Sequence, residues 1–335
     1  MKDCIPFIRS REFCWSEKHS CYATRTEALN DVVKVLDLYK DTYNKLLAIP
    51  VIRGIKTKSE KFAGAEETYT IEAYLPESGK SVQAATSHLL GQNFSKMFDI
   101  KYKDKNNTTS YVWQISCGIT TRSIGVMLMN HGDDKGSIIP PYVAPIQIVI
   151  IPIIKKGSED LVIDKCQQIY NYVKGLKYRV KFDNNPNHNF GWKCNNYELL
   201  GVPLRIEIGL NNNTLTICKR NTSIKSIIKF DDNLDLNISN LLNEIQTELY
   251  EKSYTQMMNN ITTPTDELEF KSHINNKKIC YINWCETNNC EEHIKQIYKS
   301  KSLCIPTDLD IKLKDGNCCI CNKESNNKVL FGKSF

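Results

Sequence analysis

Apolar side chains that recur at three- and four-residue steps predict an amphipathic helix across residues 26–49. Pro50 ends the pattern, because proline cannot continue a helix. Residues 68–75 alternate between polar and apolar side chains, which predicts a half-buried strand. The polar stretch 101–109 predicts a loop, and residues 111–115 predict a short strand. The first part of the chain therefore combines one long helix with short strands.

A different pattern begins at residue 146. Residues 146–154 are almost continuously apolar and rich in β-branched side chains, as in a strand that is buried on both faces. Predicted elements then alternate: helix 159–177, strand 178–182, helix 192–200, strand 204–208, a hairpin of 214–219 with 224–230, and helix 236–250. This alternation predicts an α/β domain with a largely parallel sheet. Residues 262–265 predict a linker.

Charge and hydropathy narrow the class of protein. Lys and Arg number 44 against 38 Asp and Glu, and the net charge of +6 permits contact with a polyanion without requiring it. The apolar run 146–154 is far shorter than the about 20 residues that span a bilayer. Residues 1–6 lack the apolar segment of a signal peptide. We therefore expect a cytoplasmic protein with no membrane partner.

Cysteines cluster near the end of the chain. Seven of the 14 lie between Cys280 and Cys321. Without an export signal, these are expected to be free thiols or metal ligands rather than disulfides. The closely spaced Cys285 and Cys290, followed about thirty residues later by the cysteines of 318–321, predict a tetrahedral zinc site. Reduced thiols packed in a small core are the alternative.

Two arginines lie beside aromatic side chains near the start of the chain. Residues 7–19 (FIRSREFCWSEKH) bring Arg9 and Arg11 close to Phe13 and Trp15. Guanidinium groups bind phosphate oxygens through paired hydrogen bonds, and an aromatic ring can stack on a nucleobase. The segment therefore suits a nucleotide, although a charged surface hairpin is the commoner origin of such residues.

Further segments carry long, consecutive motifs. They are residues 60–65 (EKFAGA), 83–98 (QAATSHLLGQNFSKMF), 116–125 (SCGITTRSIG), 131–136 (HGDDKG) and 140–145 (PPYVAP). Together with residues 7–19, they resemble the prolyl-tRNA synthetases, class II aminoacyl-tRNA synthetases, in their archaeal/eukaryotic form. The resemblance extends over essentially the whole chain. It leaves no room, between residues 19 and 116, for the editing insertion of bacterial-type relatives.

The resemblance implies α/β and α+β domains in three parts. Residues 1–143 would be the C-terminal half of a class II catalytic domain, which is built on an antiparallel sheet. Residues 144–261 would be an α/β anticodon-binding domain, whose signature is matched by residues 189–195 and 198–209. Residues 262–335 would be a small zinc-binding α+β domain.

The implied reaction is the ATP-dependent activation of L-proline to prolyl-adenylate and its transfer to tRNA(Pro). Arg9 and Arg122 match catalytic positions, and Mg²⁺ is expected near Gln83. The residues that match ATP contacts are Arg9, Ser10, Phe13, Gln83, Thr86, Thr120 and Arg122. Those that match the proline pocket are Trp15, Glu17, His19, His88 and Gly118. A purely structural role is the alternative for His88.

The resemblance also implies sites for tRNA and zinc. The matched anticodon-binding residues are Arg205, Glu207 and Arg220. An ion pair is the alternative for Arg205 and Glu207, which lie two residues apart on one strand face. The matched zinc ligands are Cys285, Cys290, Cys319 and Cys321, with Cys318 as a competing neighbour. The expected cofactors are thus ATP, Mg²⁺ and Zn²⁺. The expected partners are tRNA(Pro) and L-proline, with a homodimer for the full-length enzyme.

The sequence departs from the family in one major respect. Motif 1 and an Arg-x-Glu of motif 2 would precede Pro6, where the chain has only five residues. We therefore expect a fragment of a proline–tRNA ligase that does not form prolyl-adenylate by itself. A non-catalytic tRNA-binding module is the alternative function.

Overall fold

The computed structural model describes residues 4–210, 214–325 and 327–335. These residues fold into two compact units. The first unit holds the described residues up to Lys45, together with Ile49–Val126 and Tyr254–Phe335, and the second holds Leu46–Ala48 and Met127–Ser253. Within the described ranges, no helix combines the length and the apolar character that crossing a membrane would require.

The secondary structure falls into three stretches of chain. The first contains β1 (Trp15–Tyr22), α1 (Arg25–Asp41), a π-helical turn (Thr42–Leu46), β2 (Val51–Ile55), β3 (Glu67–Leu75), β4 (Lys80–Gly91), α2 (Asn93–Met97), β5 (Lys101–Lys103), β6 (Thr109–Tyr111), β7 (Trp113–Thr120) and α3 (Arg122–His131). The second contains β8 (Ile148–Pro152), α4 (Glu159–Gly175), β9 (Val180–Phe182), α5 (Phe190–Leu199), β10 (Leu204–Ile208), β11 (Thr214–Lys219), β12 (Lys225–Lys229) and α6 (Leu234–Met258). The third contains β13 (Ile261–Thr262), α7 (Glu267–Asn275), β14 (Ile279–Trp284), α8 (Asn288–Tyr298), β15 (Lys301–Pro306), β16 (Gly316–Asn317), β17 (Glu324–Ser325) and β18 (Asn327–Ser334).

A nine-stranded sheet in the order β1-β7-β4-β3-β2-β15-β18-β14-β13 organises the first unit. Its first five strands pair antiparallel throughout, as expected for the first part of the chain. The remaining strands come from the third stretch: β15 pairs with β2, and β18 also runs parallel to β4 where Lys333 meets Lys80. Residues 262–335, expected as a separate domain, therefore extend the sheet of the first unit.

Helix α1 packs on one face of this sheet. Thr24 caps it, because its hydroxyl accepts a hydrogen bond from the Glu27 N–H while the Glu27 carboxylate accepts one from the Thr24 N–H. Ala28 and Val32, on its buried side, share a core with side chains of β4 and β7. The α-helix is shorter than the predicted 26–49, since a π-helical turn follows it.

The loop predicted for residues 101–109 was wrong. Lys101 pairs with Tyr111, so β5 and β6 form a hairpin. Its residues are exposed or half-buried, and none is fully buried. The apolar alternation that identifies a half-buried strand is therefore absent from the sequence.

A five-stranded sheet in the order β12-β11-β10-β8-β9 organises the second unit. β8 runs parallel to β10 and β9, whereas β11 is antiparallel to both β10 and β12. The sheet is thus mixed rather than largely parallel. The antiparallel pairing of β11 with β12 confirms the predicted hairpin. The doubly buried strand is confirmed. Ile148 and Ile150 share a core with α4 and α6, and Val149 and Ile151 pack with α5 on the opposite face.

His131, at the end of α3, is buried in the second unit. Its Nε2–H donates to the Leu47 carbonyl oxygen over 2.8 Å. Burial lowers the pKa of His131 to about 4, in spite of that hydrogen bond. The unfolded chain takes up this proton near pH 6.5, so the stabilisation is complete above that pH and is lost as the pH falls towards 4.

The free energy of unfolding should fall by about 2 kcal/mol between pH 7 and pH 5, because His131 takes up a proton only in the unfolded chain over this range. His131→Gln keeps an N–H donor for Leu47 but cannot take up a proton. Urea denaturation at both pH values should therefore show a smaller loss in the variant. Equal losses in the two proteins would contradict the assignment.

Candidate functional site

A cavity of about 260 Å³ lies in the first unit. It is formed by the residues that precede β1, by β1 and β4, and by the junction of β7 with α3. Its lining residues are Phe7, Ile8, Arg9, Ser10, Phe13, Trp15, Glu17, Gln83, Ala84, Ala85, Thr86, His88, Gly118, Thr120 and Arg122. The structure thus brings together all the residues that the sequence predicts to bind ATP. It also brings together all those predicted to bind proline, except His19.

Strand register explains why residues so distant in sequence meet here. β7 pairs with β1 on one side and β4 on the other, so Glu17, Gly118 and Thr86 form one row across three strands. The next row contains His19 and His88, each paired with the same residue of β7. Because alternate residues of a strand share a face, both rows point to the same side of the sheet.

A β-bulge turns Gln83 towards the cavity. The pairing of β3 with β4 shifts by one residue at Ala84. Since side chains alternate between the faces of a strand, this extra residue moves Gln83 to the face that carries Thr86. The hydroxyl of buried Tyr43 donates to the carbonyl oxygen of Ala84 over 3.2 Å and supports the bulge.

Arg122 is held in place by the backbone around it. Its Nε–H donates to the Ile8 carbonyl oxygen and one terminal N–H donates to the Gln83 carbonyl oxygen, each over 3.0 Å. Its own backbone N–H donates to the hydroxyl of Thr120 over 3.2 Å. The remaining N–H groups of the guanidinium offer donors to an anionic ligand.

Phe13 and Trp15 add an apolar part to the cavity. Both rings are more than half exposed, at 53% and 57%, although they line it. Their centroids are 6.0 Å apart in an edge-to-face contact. Such exposed rings suit stacking on a planar ligand.

Two glycines shape the same region in different ways. A Cβ on Gly118 would lie 3.9 Å from its nearest neighbours, so the backbone does not require glycine there and the missing side chain leaves space in the cavity. A Cβ on Gly125 would lie only 2.7 Å from the Cβ of Phe7. Gly125 therefore permits α3 to approach the segment that carries Arg9.

Glu17, His19 and His88 form the polar part of the two rows. Glu17 contacts the His19 ring at 3.1 Å, and His19 itself does not line the cavity. His88 Nδ1 lies 3.0 Å from the hydroxyl of Thr68. Burial lowers the pKa of His88 although Glu17 acts in the opposite direction, so the imidazole is neutral at pH 7. His88 therefore offers hydrogen bonds rather than charge.

A second cavity of about 380 Å³ adjoins the first, and the sequence reasoning missed it. The two share Ile8, Arg9, Gln83 and Arg122. Its remaining walls include Lys56 and Glu72, a buried ion pair with 2.7 Å between charged atoms, and residues of β15. No local motif marks this cavity, because its walls combine residues from the first part of the chain with residues of 301–335.

The three candidates for anticodon recognition all pair with protein groups. The Nε–H of Arg205 donates to Glu207 over 2.9 Å, and Lys225 donates to Glu207 over 2.8 Å. The guanidinium of Arg220 is buried and binds both carboxylate oxygens of Asp133, at 2.7 and 2.8 Å. The structure thus shows the ion-pair arrangement for these residues. It also adds Lys225 and Asp133, which the sequence reasoning did not include.

Four cysteines converge at the end of the first unit. The Sγ atoms of Cys285, Cys290, Cys318 and Cys321 all lie within 4.8 Å of one another. The distances from Cys285 Sγ are 3.5 Å to Cys290 and 3.6 Å to Cys321. Four thiolates around a zinc ion, each about 2.3 Å from the metal, require sulfur separations of this size. The arrangement therefore fits a structural zinc ion.

The assignment of Cys319 as the third ligand was wrong. The Cys319 thiol faces away from the cluster and donates to the Asp266 carbonyl oxygen over 3.2 Å. Burial raises the pKa of Cys319 to about 12, as expected for a core thiol. Cys318, the competing neighbour, belongs to the cluster instead.

Comparisons with known families match all three stretches of the chain. Residues 2–131 match the tRNA synthetase class II core domain (G, H, P, S and T). Residues 147–248 match an anticodon binding domain. Residues 268–335 match the C-terminal region of prolyl-tRNA synthetase.

Similar proteins include bacterial enzymes and an enzyme of which two structures have been solved. The proline–tRNA ligase of Bacteroides fragilis is 40% identical over 98% of this chain and 67% of its own length, and that of Flavobacterium psychrophilum is 41% identical with the same coverage. The prolyl-tRNA synthetase of Cryptosporidium parvum, solved with halofuginone and AMPPNP, has a TM-score of 0.95 and 41% identity over 100% of this chain and 70% of its own. Its structure with L-proline and AMP has a TM-score of 0.93 and 40% identity over 99% and 71%. This chain, which spans about two thirds of these relatives, therefore belongs to the prolyl-tRNA synthetases, class II aminoacyl-tRNA synthetases that act as proline–tRNA ligases.

Proposed function

We propose that the chain binds ATP and L-proline in the cavity between β1, β4 and β7 and acts in the synthesis of prolyl-tRNA(Pro). The observation that carries this proposal is the cavity lining, which contains all seven ATP candidates. The similar Cryptosporidium enzyme was solved with AMPPNP and with L-proline and AMP, which supports the same ligand classes.

Each part of the cavity suits one part of the ligands. Arg9 and Arg122 supply positive charge for the phosphates, aided by the hydroxyls of Ser10, Thr86 and Thr120. Phe13 stacks on adenine. Gln83 would hold Mg²⁺, which would neutralise part of the charge of the phosphates. Trp15, Glu17, His88 and Gly118 would surround proline. His19, which contacts Glu17, would adjoin this pocket rather than line it.

The chemistry requires positioning more than proton transfer. The carboxylate of proline attacks the α-phosphate of ATP, and pyrophosphate leaves with the electron pair of the broken P–O bond. A hydroxyl of the terminal adenosine of tRNA then attacks the prolyl carbonyl and displaces AMP. The fixed donors of Arg122 stabilise the charge that builds up on the phosphates without reorganising during the reaction.

We assign tRNA binding to the second unit, which matches an anticodon binding domain. Arg205 and Glu207 would read the anticodon by hydrogen bonds to the edge of a base. Each would give up one of its present hydrogen bonds to protein groups to do so. Arg220 binds Asp133 from a buried position and would support this region rather than contact RNA. The four-cysteine cluster supports Zn²⁺ as a further cofactor. We also propose the archaeal/eukaryotic type, a homodimer in the full-length enzyme and a cytoplasmic location.

Isothermal titration calorimetry of the purified chain tests the proposal. We expect saturable binding of Mg²⁺–ATP and of L-proline, and binding of tRNA(Pro) that weakens when the anticodon bases are changed. Proline-dependent ATP–pyrophosphate exchange then separates a working ligase from a chain that only binds. Binding of tRNA(Pro) without any binding of ATP would support the alternative, a non-catalytic tRNA-binding module.

A further inference from the structure

A chain of buried polar side chains connects Gln83 to the interior of the first unit. The Gln83 Nε2 group donates to the Thr70 hydroxyl over a long 3.4 Å, and that hydroxyl donates to Glu72 Oε1 over 2.8 Å. Lys56 lies 2.7 Å from the same oxygen of Glu72. Lys56 also donates to the Leu303 carbonyl oxygen of β15 over 2.7 Å. Thr70 and Glu72 are 0% and 4% exposed, so the contact between them is shielded from bulk water.

The charge at Glu72 sets the direction of the hydrogen bonds that the Thr70 hydroxyl makes. Desolvation alone would lower the pKa of Lys56, but the attraction and hydrogen bond of Glu72 outweigh it and raise that pKa, so Lys56 carries its proton. A carboxylate paired with an ammonium group only accepts hydrogen bonds. The Thr70 hydroxyl therefore donates its single proton to Glu72, a charged acceptor at 2.8 Å, in preference to the Ala85 carbonyl oxygen at 3.4 Å. Its lone pair is then free to accept from the amide of Gln83.

We propose that Glu72 and Thr70 are positioning residues that orient the amide of Gln83, so that its carbonyl oxygen, and not its NH₂ group, faces a divalent cation bound with ATP. An amide has one acceptor end and one donor end, and Thr70 engages the donor end. The β-bulge at Ala84 places the other end on the side of both cavities. Carbonyl oxygens are ligands that Mg²⁺ accepts, whereas an NH₂ group is not. This inference rests on the proposed ATP site.

Three variants test whether Thr70 and Glu72 orient the amide of Gln83. Thr70→Val has nearly the shape of threonine without the hydroxyl, and Thr70→Ser is its matched control with the hydroxyl retained. Glu72→Gln removes the charge that fixes the direction. In this last variant the new amide can donate to Thr70, whose hydroxyl then donates to Gln83 and reverses its amide. Since Glu72→Gln leaves Lys56 buried without a charged partner, Thr70→Val is the decisive variant if Glu72→Gln fails to fold.

The first readout needs no nucleotide. With ¹⁵N-labelled glutamine, the side-chain NH₂ signals of Gln83, assigned by their loss in Gln83→Glu, should be shifted and protected from solvent exchange. We expect Thr70→Val to abolish that protection and Thr70→Ser to retain it. Identical Gln83 signals in wild type and Thr70→Val would show that Thr70 does not orient the amide, whether or not the chain binds ATP. A failed ATP site with changed signals would instead refute the proposed function alone.

The second readout is the affinity for ATP with and without Mg²⁺, measured by calorimetry. Loss of a residue that orients a metal ligand typically costs 10–100-fold in metal affinity. We therefore expect Thr70→Val and Glu72→Gln to weaken the Mg²⁺-dependent part of ATP binding by about tenfold, with AMP binding in EDTA unchanged. Thr70→Ser should resemble wild type. An equal loss for Mg²⁺–ATP and AMP, or no loss at all, would overturn the role of Gln83 towards the cation.

Discussion

Replacing Cys290 or Cys318 with serine is expected to abolish the binding of one zinc ion per chain and to unfold the cysteine-rich part of the first unit. A structural zinc site contributes about 10 kcal/mol or more to folding, which exceeds the stability of a typical segment of this size. Cys290 lies on α8, and Cys318 and Cys321 lie in the connection between β16 and β17. Metal analysis and limited proteolysis measure the two effects, and chelation of the wild type should reproduce the proteolysis pattern.

Cys319→Ser is the matched control, because it changes a buried thiol next to a ligand without removing one. Its thiol donates to Asp266 and does not join the cluster, so we expect one zinc ion per chain to remain. Zinc retained in Cys318→Ser but lost in Cys319→Ser would contradict the assignment of Cys318 as the third ligand. Wild-type protein that contains no metal, and whose thermal unfolding does not change with a chelator, would refute the zinc site.

Arg122→Ala is expected to weaken the binding of ATP by about ten- to a hundredfold, because hydrogen bonds to charged groups are worth about 1.5–3 kcal/mol each. The loss for AMP should be smaller, since AMP offers the guanidinium one phosphate group where ATP offers three. Calorimetry with both nucleotides measures the difference. Where the chain supports proline-dependent exchange, removing this fixed charge should lower the rate by about 10²–10³-fold.

Arg25→Ala is the control for the loss of an arginine elsewhere in the same unit. Arg25 pairs with Glu66 and Glu67 and does not line either cavity described above. We expect its nucleotide affinities to match those of wild type. Arg122→Lys separates charge from shape, because lysine keeps the positive charge without the forked donors. Equal losses for ATP and AMP in Arg122→Ala would argue that it distorts the cavity rather than removing a phosphate contact.

Local sequence patterns predicted the elements whose burial is regular. β8 was identified because all five of its residues are buried, and an unbroken β-branched run is the direct result. The hairpin of β5 and β6 was missed because its residues have no buried face to produce an alternating pattern. The sequence also did not predict that strands of the third stretch join the nine-stranded sheet. Lys80 and Lys333 pair across about 250 residues, and no local pattern records such a pairing.

In the candidate site, too, the sequence predicted some residues and missed others. The family motifs identified the cavity lining, since each motif is consecutive in sequence. They did not separate Cys318 from Cys319, because the choice depends on which thiol the turn at 318–321 directs towards Cys285. The pair of Lys56 with Glu72 was also missed. Isolated charged residues in sequence normally indicate an exposed surface, and only the fold shows that these two are buried.

The nine-stranded sheet has a consequence for how the protein is made. β2 emerges from the ribosome before its neighbour β15, which is synthesised about 250 residues later. Until then the β2 edge has unpaired N–H and C=O groups, a known template for association between chains. Pairings this distant also slow folding, because a long loop must close before the contact forms. Nascent chains interrupted before β15 should therefore depend on chaperones far more than chains of the separate five-stranded unit.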